Sequence, residues 1–388
     1  MVDTPLLYIA ILLFIASQII YIEHKFKWRI FKIIPPIVIL YFTVMTLSTL
    51  EIIPSGSDVD ETYSSIKRYL LPAMIFLMLL ELDIRVLFRV GKSTIATFFL
   101  ASFTISIGFI VMFYLFHNHF SDESAWRAFG ALSGSWLGGT SNMIAIQEAL
   151  NLDDSKLGYV LLIDSIDYAI WVMLLLMAVP YADSFNRWVG AKDISIAEEV
   201  LSGDVAKESS VNFPECFATL SISLSISAIA WSIAKELPTT TLFTETTWAV
   251  LISTVAGIST AFTPIGRGLS TSILANIMLY IIIALIASRA DFGELTQAPI
   301  YILSGFTIIL IHATLMVIFA KIFKINLFSI GVASLANIGG IASSPILAGA
   351  YSRALVPIGV FMAMLGYIIG TFVGLFISKI LYLIELNF

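Results

Sequence analysis

The chain has 388 residues, 59% hydrophobic and 12% charged, with a mean hydropathy of +0.95; soluble domains carry about 25% charged residues, so a soluble enzyme is excluded. A net charge of −6 and a pI near 5.3 exclude a nucleic-acid binder, which needs a basic face. The single cysteine, Cys216, cannot close an internal disulfide, and no Cys/His cluster has zinc spacing.

A bilayer span needs about 20 apolar residues. Runs of that length lie near 5–22, 30–50, 67–84, 94–117, 127–150 and 157–181, and again near 214–235, 245–263, 268–288, 297–320, 326–349 and 354–383. The first run could pass for a signal peptide, but it lacks a small-residue cleavage site and reads as a first span. Between the two sets, Asp183 to Asn212 is polar, with Asp193, Glu198, Glu199, Asp204, Lys207 and Glu208, and reads as a solvated connector able to carry a short surface helix. The expected organisation is therefore a first membrane repeat over 1–182, a connector over 183–213 and a second repeat over 214–388.

Lys25, Lys27, Arg29 and Lys32 crowd the first connection and Arg85, Arg89 and Lys92 the third, whereas the second holds Glu51, Asp58, Asp60 and Glu61. Basic loops stay cytoplasmic, which puts the N-terminus outside. The halves share Ser133 with Ser334, Gly138 with Gly339 and Gly139 with Gly340 in their fifth runs, and Asp83 with Asp291 after their third. Such duplication is the sequence trace of many transporter folds. Six spans plus six would leave the repeats parallel, but the charges favour inversion: the Lys321 and Lys324 connection lies inside only with one crossing more or fewer, which the connector or a segment among 214–263 that does not fully span could supply. The expectation is 10 to 13 spans.

Two fifth runs carry a Gly pair inside a polar cluster: Ser133, Ser135, Gly138, Gly139, Thr140, Ser141 and Asn142 in one, and Ser334, Asn337, Gly339, Gly340, Ser343, Ser344 and Pro345 in the other. Exposed backbone is costly in hydrocarbon, so broken helices are expected only where they line a cavity, with their half-helix dipoles meeting there. Close helix packing through small residues is the structural alternative. Asp164 and Asp167 stand one turn apart in an otherwise apolar run. Intramembrane carboxylates are functional candidates, able to hold a cation or share a proton. His312, in the tenth run, adds a basic group that titrates near neutrality. Asn276 and the Gln147–Glu148 pair are weaker candidates, the pair because it falls near a helix end where solvation is expected.

The stretch Leu71-Pro-Ala-Met-Ile-Phe-Leu-Met-Leu-Leu-Glu-Leu-Asp-Ile-Arg followed by Arg89-Val-Gly-Lys resembles a helix of cation/proton antiporters. Leu161-Leu-Ile-Asp-Ser-Ile-Asp-Tyr is similar to their ion-binding helix. With Gly134-Ser-Trp-Leu-Gly-Gly-Thr-Ser-Asn and Ala336-Asn-Ile-Gly-Gly, nearly the whole chain resembles the membrane family of domain of unknown function 819. That family is grouped with the bile-acid/sodium symporter and cation/proton antiporter superfamily. The resemblance implies an all-α polytopic fold of two inverted repeats, with crossed discontinuous helices in a mobile core beside a scaffold that dimerises.

The function expected is ion-coupled secondary transport of a small, anionic solute by elevator-like alternating access, in a bacterial inner membrane. Asp164, Asp167, Thr140, Ser141, Asn142 and Asn337 would bind Na+ or a proton, and Ser135, Gly138, Gly139, His312, Gly339, Gly340, Ser343 and Ser344 would face the solute. The alternative is a Na+/H+ antiporter with no organic substrate. No enzymatic role, cofactor or nucleic-acid partner is expected; lipid and a second copy of the chain are. An intramembrane aspartyl hydrolase would need facing aspartates, and a non-transporting scaffold would tolerate loss of both.

Overall fold

The computed structural model describes residues 4–32, 36–80, 92–122, 124–191, 213–240, 244–263, 271–290, 298–352 and 355–387, and what it describes is helical, with no strand among these residues. The helices are α1 (Pro5–Phe26), α2 (Pro36–Thr49), α3 (Ser57–Leu80), α4 (Lys92–Phe116), α5 (Ala125–Gly138), α6 (Thr140–Ala149), α7 (Leu157–Ala178), α8 (Ala182–Val189), α9 (Phe213–Ala234), α10 (Glu245–Ala261), α11 (Thr271–Ala287), α12 (Ala298–Phe323), α13 (Leu327–Ile338), α14 (Gly340–Tyr351) and α15 (Val356–Asn387). The described residues of each of the twelve apolar runs are thus mostly helical. Seven helical stretches among the described residues are long and apolar enough to cross a membrane, by length and composition. Leu6, Phe14, Phe217, Leu310 and Phe376 are exposed, an apolar exterior of the kind lipid, not water, covers. Asp83, Arg85, Arg89, Asp291 and the connector charges from Asp193 to Glu208 lie outside the described residues.

α3 begins ten residues before its apolar run. Asp58 and Asp60 sit in its first turn, where acidic side chains complement the helix dipole, so the helix starts in polar sequence that hydropathy alone skips. In the connector, the short surface helix is α8. The Asn186 side-chain carbonyl accepts the Leu327 N–H at 2.9 Å, and Lys321 donates to the Trp188 carbonyl.

The chain forms two compact units. The first takes Met1–Glu81, Gln147–Ser165 and Val211–Ala298; the second takes Leu82–Ile146, Ile166–Ser210 and Pro299–Phe388. The first three runs of each half therefore gather in one unit, and the last three gather largely in the other.

Helix directions follow from individual contacts. In the first unit the Ser288 hydroxyl, just past α11, meets the Tyr8 hydroxyl at 2.7 Å, and its carbonyl accepts from Ser48 at 2.7 Å. Arg289 pairs with Asp60 at the start of α3. The end of α11 lies beside the beginning of α3, so the two run antiparallel. In the second unit, Thr104 bonds His312, and a Cβ on Gly108 would lie 2.9 Å from the Ile308 carbonyl oxygen. Moving forward along α4 means moving backward along α12, so this pair is antiparallel as well.

The two Gly-rich runs depart from expectation. Each breaks, but neither continues in its original direction; each doubles back as a helical hairpin. Phe328 and Tyr351, at opposite ends of α13–α14, have ring centroids 5.3 Å apart, where a continuing helix would separate them by about 35 Å at 1.5 Å per residue. A Cβ on Gly331 would touch Leu347 at 3.5 Å, and Ser344 Oγ reaches the Val332 carbonyl at 3.4 Å. In α5–α6, a Cβ on Gly134 would lie 2.9 Å from the Asn142 carbonyl oxygen and 2.6 Å from Ile146. The reversals centre on Gly139, with φ +85°, and Gly340, with φ +58°, conformations open to glycine and strained for other residues.

Candidate functional site

The hairpin tips lie in the second unit, where α15 brings them together. A Cβ on Gly366 would be 3.0 Å from the Leu137 carbonyl, 3.5 Å from Gly138 Cα and 3.6 Å from the Ala336 carbonyl. That approach rests on a glycine ladder: Gly134 and Gly138 of α5 face Gly366, Gly370 and Gly374 of α15, and a Cβ on Gly370 would come within 2.6 Å of Gly138 Cα. Small residues four apart let membrane helices meet backbone to backbone. The two explanations weighed for Gly138–Gly139 thus divide between neighbours: Gly138 packs and Gly139 turns.

Each tip is also met by a tyrosine from the helix after the other hairpin. The Tyr168 ring lies 2.5 Å from where a Gly339 Cβ would be, and the Tyr367 hydroxyl lies 3.5 Å from the corresponding point on Gly139. Asp167 immediately precedes Tyr168 and is fully buried. Asp164 is half-buried, one turn earlier on α7, in the stretch that clusters with the first unit. The structure therefore puts Asp167, and not Asp164, in the unit that holds the tips.

The polar residues of the tips divide by what they touch. Asn142 Nδ2 donates to the Gly138 carbonyl at 2.6 Å, an acceptor freed by the break, and its Oδ1 accepts from the Thr371 hydroxyl. Asn337 Oδ1 accepts from Ser102 at 2.7 Å and its Nδ2 donates to the Ala333 carbonyl at 2.9 Å. Both amides tie their tips to α15 or α4. Ser135 is buried, and its carbonyl accepts the Gly139 N–H at 2.7 Å. Thr140 and Ser141 open α6, and Gly340 opens α14. Backbone N–H groups at such helix starts carry partial positive charge, and the C-terminal ends of α5 and α13 carry the opposite. Ser343 Oγ is buried and has no hydrogen-bond partner among the described residues, and Ser344 is fully buried beside it.

His312 is fully buried, with Nδ1 2.8 Å from the Thr104 hydroxyl and Nε2 2.8 Å from the Ser334 hydroxyl. Trp171 Nε1 donates to the same Ser334 oxygen at 2.9 Å, its ring edge-on to the imidazole at 6.0 Å. The histidine joins α4, α12 and α13 through hydroxyls. Asn276 is exposed on α11.

Over residues 10–384 the sequence matches the family described as protein of unknown function DUF819. The chain belongs to the DUF819 family. It is also 24% identical over 383 residues to the "Uncharacterized membrane protein YjcL" of Bacillus subtilis (strain 168), covering 94% of this chain and 93% of that protein. The match to a membrane protein and the seven apolar helical stretches make this DUF819 chain an integral, multi-pass membrane protein.

A second polar cluster was missed by the sequence reading. Gln147 and Glu148, expected to be solvated, are buried or nearly so. Lys67 Nζ lies 2.7 Å from Glu148 Oε1 and 3.2 Å from Asp154 Oδ1, and Gln147 Nε2 donates to Asp154 Oδ1 at 2.9 Å. Tyr63 donates to the other Asp154 oxygen, and Arg289 lies over the Tyr63 ring, 4.8 Å from its centroid. The available signal was the Lys67–Arg68 pair at the entry to an apolar run.

Proposed function

We propose that this DUF819 protein is a secondary active transporter in which the two hairpin tips and Asp167 bind a coupling ion, Na+ or a proton, while a small anionic solute crosses the membrane. The observation that carries this reading is the convergence of two helical reversals, at matched places in the two halves, with a fully buried carboxylate, Asp167, next in sequence to the tyrosine that meets one tip. Re-entrant backbone at membrane depth is tolerated only where protein or a cavity shelters it. Helix starts at Thr140 and Gly340 suit an anionic group, and the Asp167 carboxylate suits a cation.

In this reading residues 1–182 and 214–388 are inverted repeats. The third and fourth helices of the halves, α3 with α11 and α4 with α12, run antiparallel, as inversion requires. Each half then contributes five through-going helices and one hairpin, and that odd number of crossings turns the second half over. The second unit is the moving body of an elevator, the first its scaffold and the site of dimerisation, in a bacterial inner membrane. The chain is not an enzyme in this scheme and carries no cofactor apart from the coupling ion.

Sodium-22 uptake into proteoliposomes under an imposed pH gradient, with and without Asp167→Asn, tests the proposal. Gradient-driven uptake abolished by the substitution would identify a Na+/H+ antiporter needing no organic substrate. No solute-free uptake, with Asp167-dependent uptake once an anionic solute is supplied, is the result expected of a symporter. Flux indifferent to Asp167 would overturn both.

A further inference from the structure

The first unit contains a cavity of about 340 Å³ lined by Tyr63, Lys67, Arg68, Glu148, Trp231 and Glu245 among others, at the small end of the range for ligand pockets. Its inner wall carries the Lys67 ammonium, held against Glu148 and Asp154. The Asp154 charge is shared further by Gln147 and Tyr63. Glu148, which faces the cavity, has the Lys67 contact. One ammonium against two carboxylates leaves one negative charge in excess, at a depth where an uncompensated charge is costly.

The mouth has the opposite bias available. Arg68 and Glu245 are 40% and 49% exposed and 4.0 Å apart, a loose pair contributing little stability. The Arg68 guanidinium lies over Trp231, 4.2 Å from the ring centroid, while the indole N–H donates to the Arg68 carbonyl at 2.7 Å. Stacking engages the face of the guanidinium and leaves its in-plane N–H donors for a carboxylate.

We propose that this cavity binds a small zwitterion bearing one ammonium and one carboxylate, of the size and charge of a neutral α-amino acid. Its ammonium meets Glu148, and its carboxylate meets Arg68 as Glu245 swings aside. A simple anion would face Glu148 and Glu245, and a simple cation would face Lys67 and Arg68. Only a ligand with both charges finds a partner at each end, and the mismatched end rejects the others.

The test is thermal unfolding and equilibrium dialysis of the purified full chain with glycine, L-alanine, L-leucine and L-glutamine, against n-propylammonium and propionate. At least one amino acid should raise the melting temperature with concentration, as binding to the folded state requires, and neither half-ligand should. Arg68→Gln should weaken that binding about tenfold, the loss of one charge-assisted hydrogen bond, while Glu245→Gln should preserve or strengthen it. No binding by any of the four amino acids, propionate or propylammonium binding as well as they do, or affinity unchanged in Arg68→Gln would overturn the proposal. The half-ligand comparison uses the unaltered protein and decides the matter even if a variant does not fold.

Discussion

Adjacent glycines at the second hairpin tip are under different constraints. A Cβ on Gly339 would collide with Ser343 Oγ and fall 2.5 Å from the Tyr168 ring, whereas one on Gly340 meets nothing within 4 Å but sits at φ +58°. Gly339→Ala should therefore cost about 1–3 kcal/mol through overpacking. Gly340→Ala should cost roughly 1–2 kcal/mol through backbone strain alone. Because the Gly339 clash falls on the tip's own packing, its variant should lose ion-dependent activity beyond its loss of stability; paired melting and flux measurements separate the two. Lys67 supports a sharper expectation. Lys67→Met leaves Glu148 and Asp154 facing each other without their cation, and breaking a buried ion pair from one side costs roughly 3–5 kcal/mol. Screening at the 14% exposure of Lys67 places the expected loss toward the lower figure, visible as a lowered denaturation midpoint. The sequence could not announce this cluster, because Lys67 and Asp154 are 87 positions apart and no local pattern couples them.

Existence and direction of the helices separate at the next scale. Existence was legible: the described residues of every apolar run are mostly helical, and both breaks fell at the Gly pairs, where polar side chains interrupt an apolar pattern. Direction was not. A Gly pair permits continuation or reversal alike, and the choice is made by tertiary contacts, chiefly the glycine ladder of α15, which begins more than 200 residues after Gly138–Gly139. Glycines at 366, 370 and 374 are spaced for close packing, yet their partner cannot be read from spacing alone. The hairpins are directly measurable. With nitroxide labels at Phe328→Cys and Tyr351→Cys in a Cys216→Ser background, double electron–electron resonance should give a short distance, under about 20 Å. A continuing helix would place the labels at about 35 Å from its rise alone.

For the whole molecule, the hairpins bear on the parity left open by twelve apolar runs. In the proposed reading five crossings and a reversal per half allow inversion, and two contacts among the described residues, Arg289 with Asp60 and Thr104 with His312, have the antiparallel sense that inversion demands. Three matched residues in the fifth runs were legible in the sequence; the division into units was not, because each unit draws on both halves of the chain. The same geometry concentrates the proposed chemistry: the buried carboxylate at Asp167, the opposed helix ends and the tyrosines that meet the glycines all belong to the second unit. The most direct measurement is the current evoked by sodium and pH jumps, each made with and without a small anionic solute, on proteoliposomes adsorbed to a solid-supported membrane. The account predicts a transient current for at least one of the two jumps, absent in Asp167→Asn protein with an unchanged melting profile. Equal currents in the two proteins, or none from well-folded wild-type protein under either jump, would contradict it.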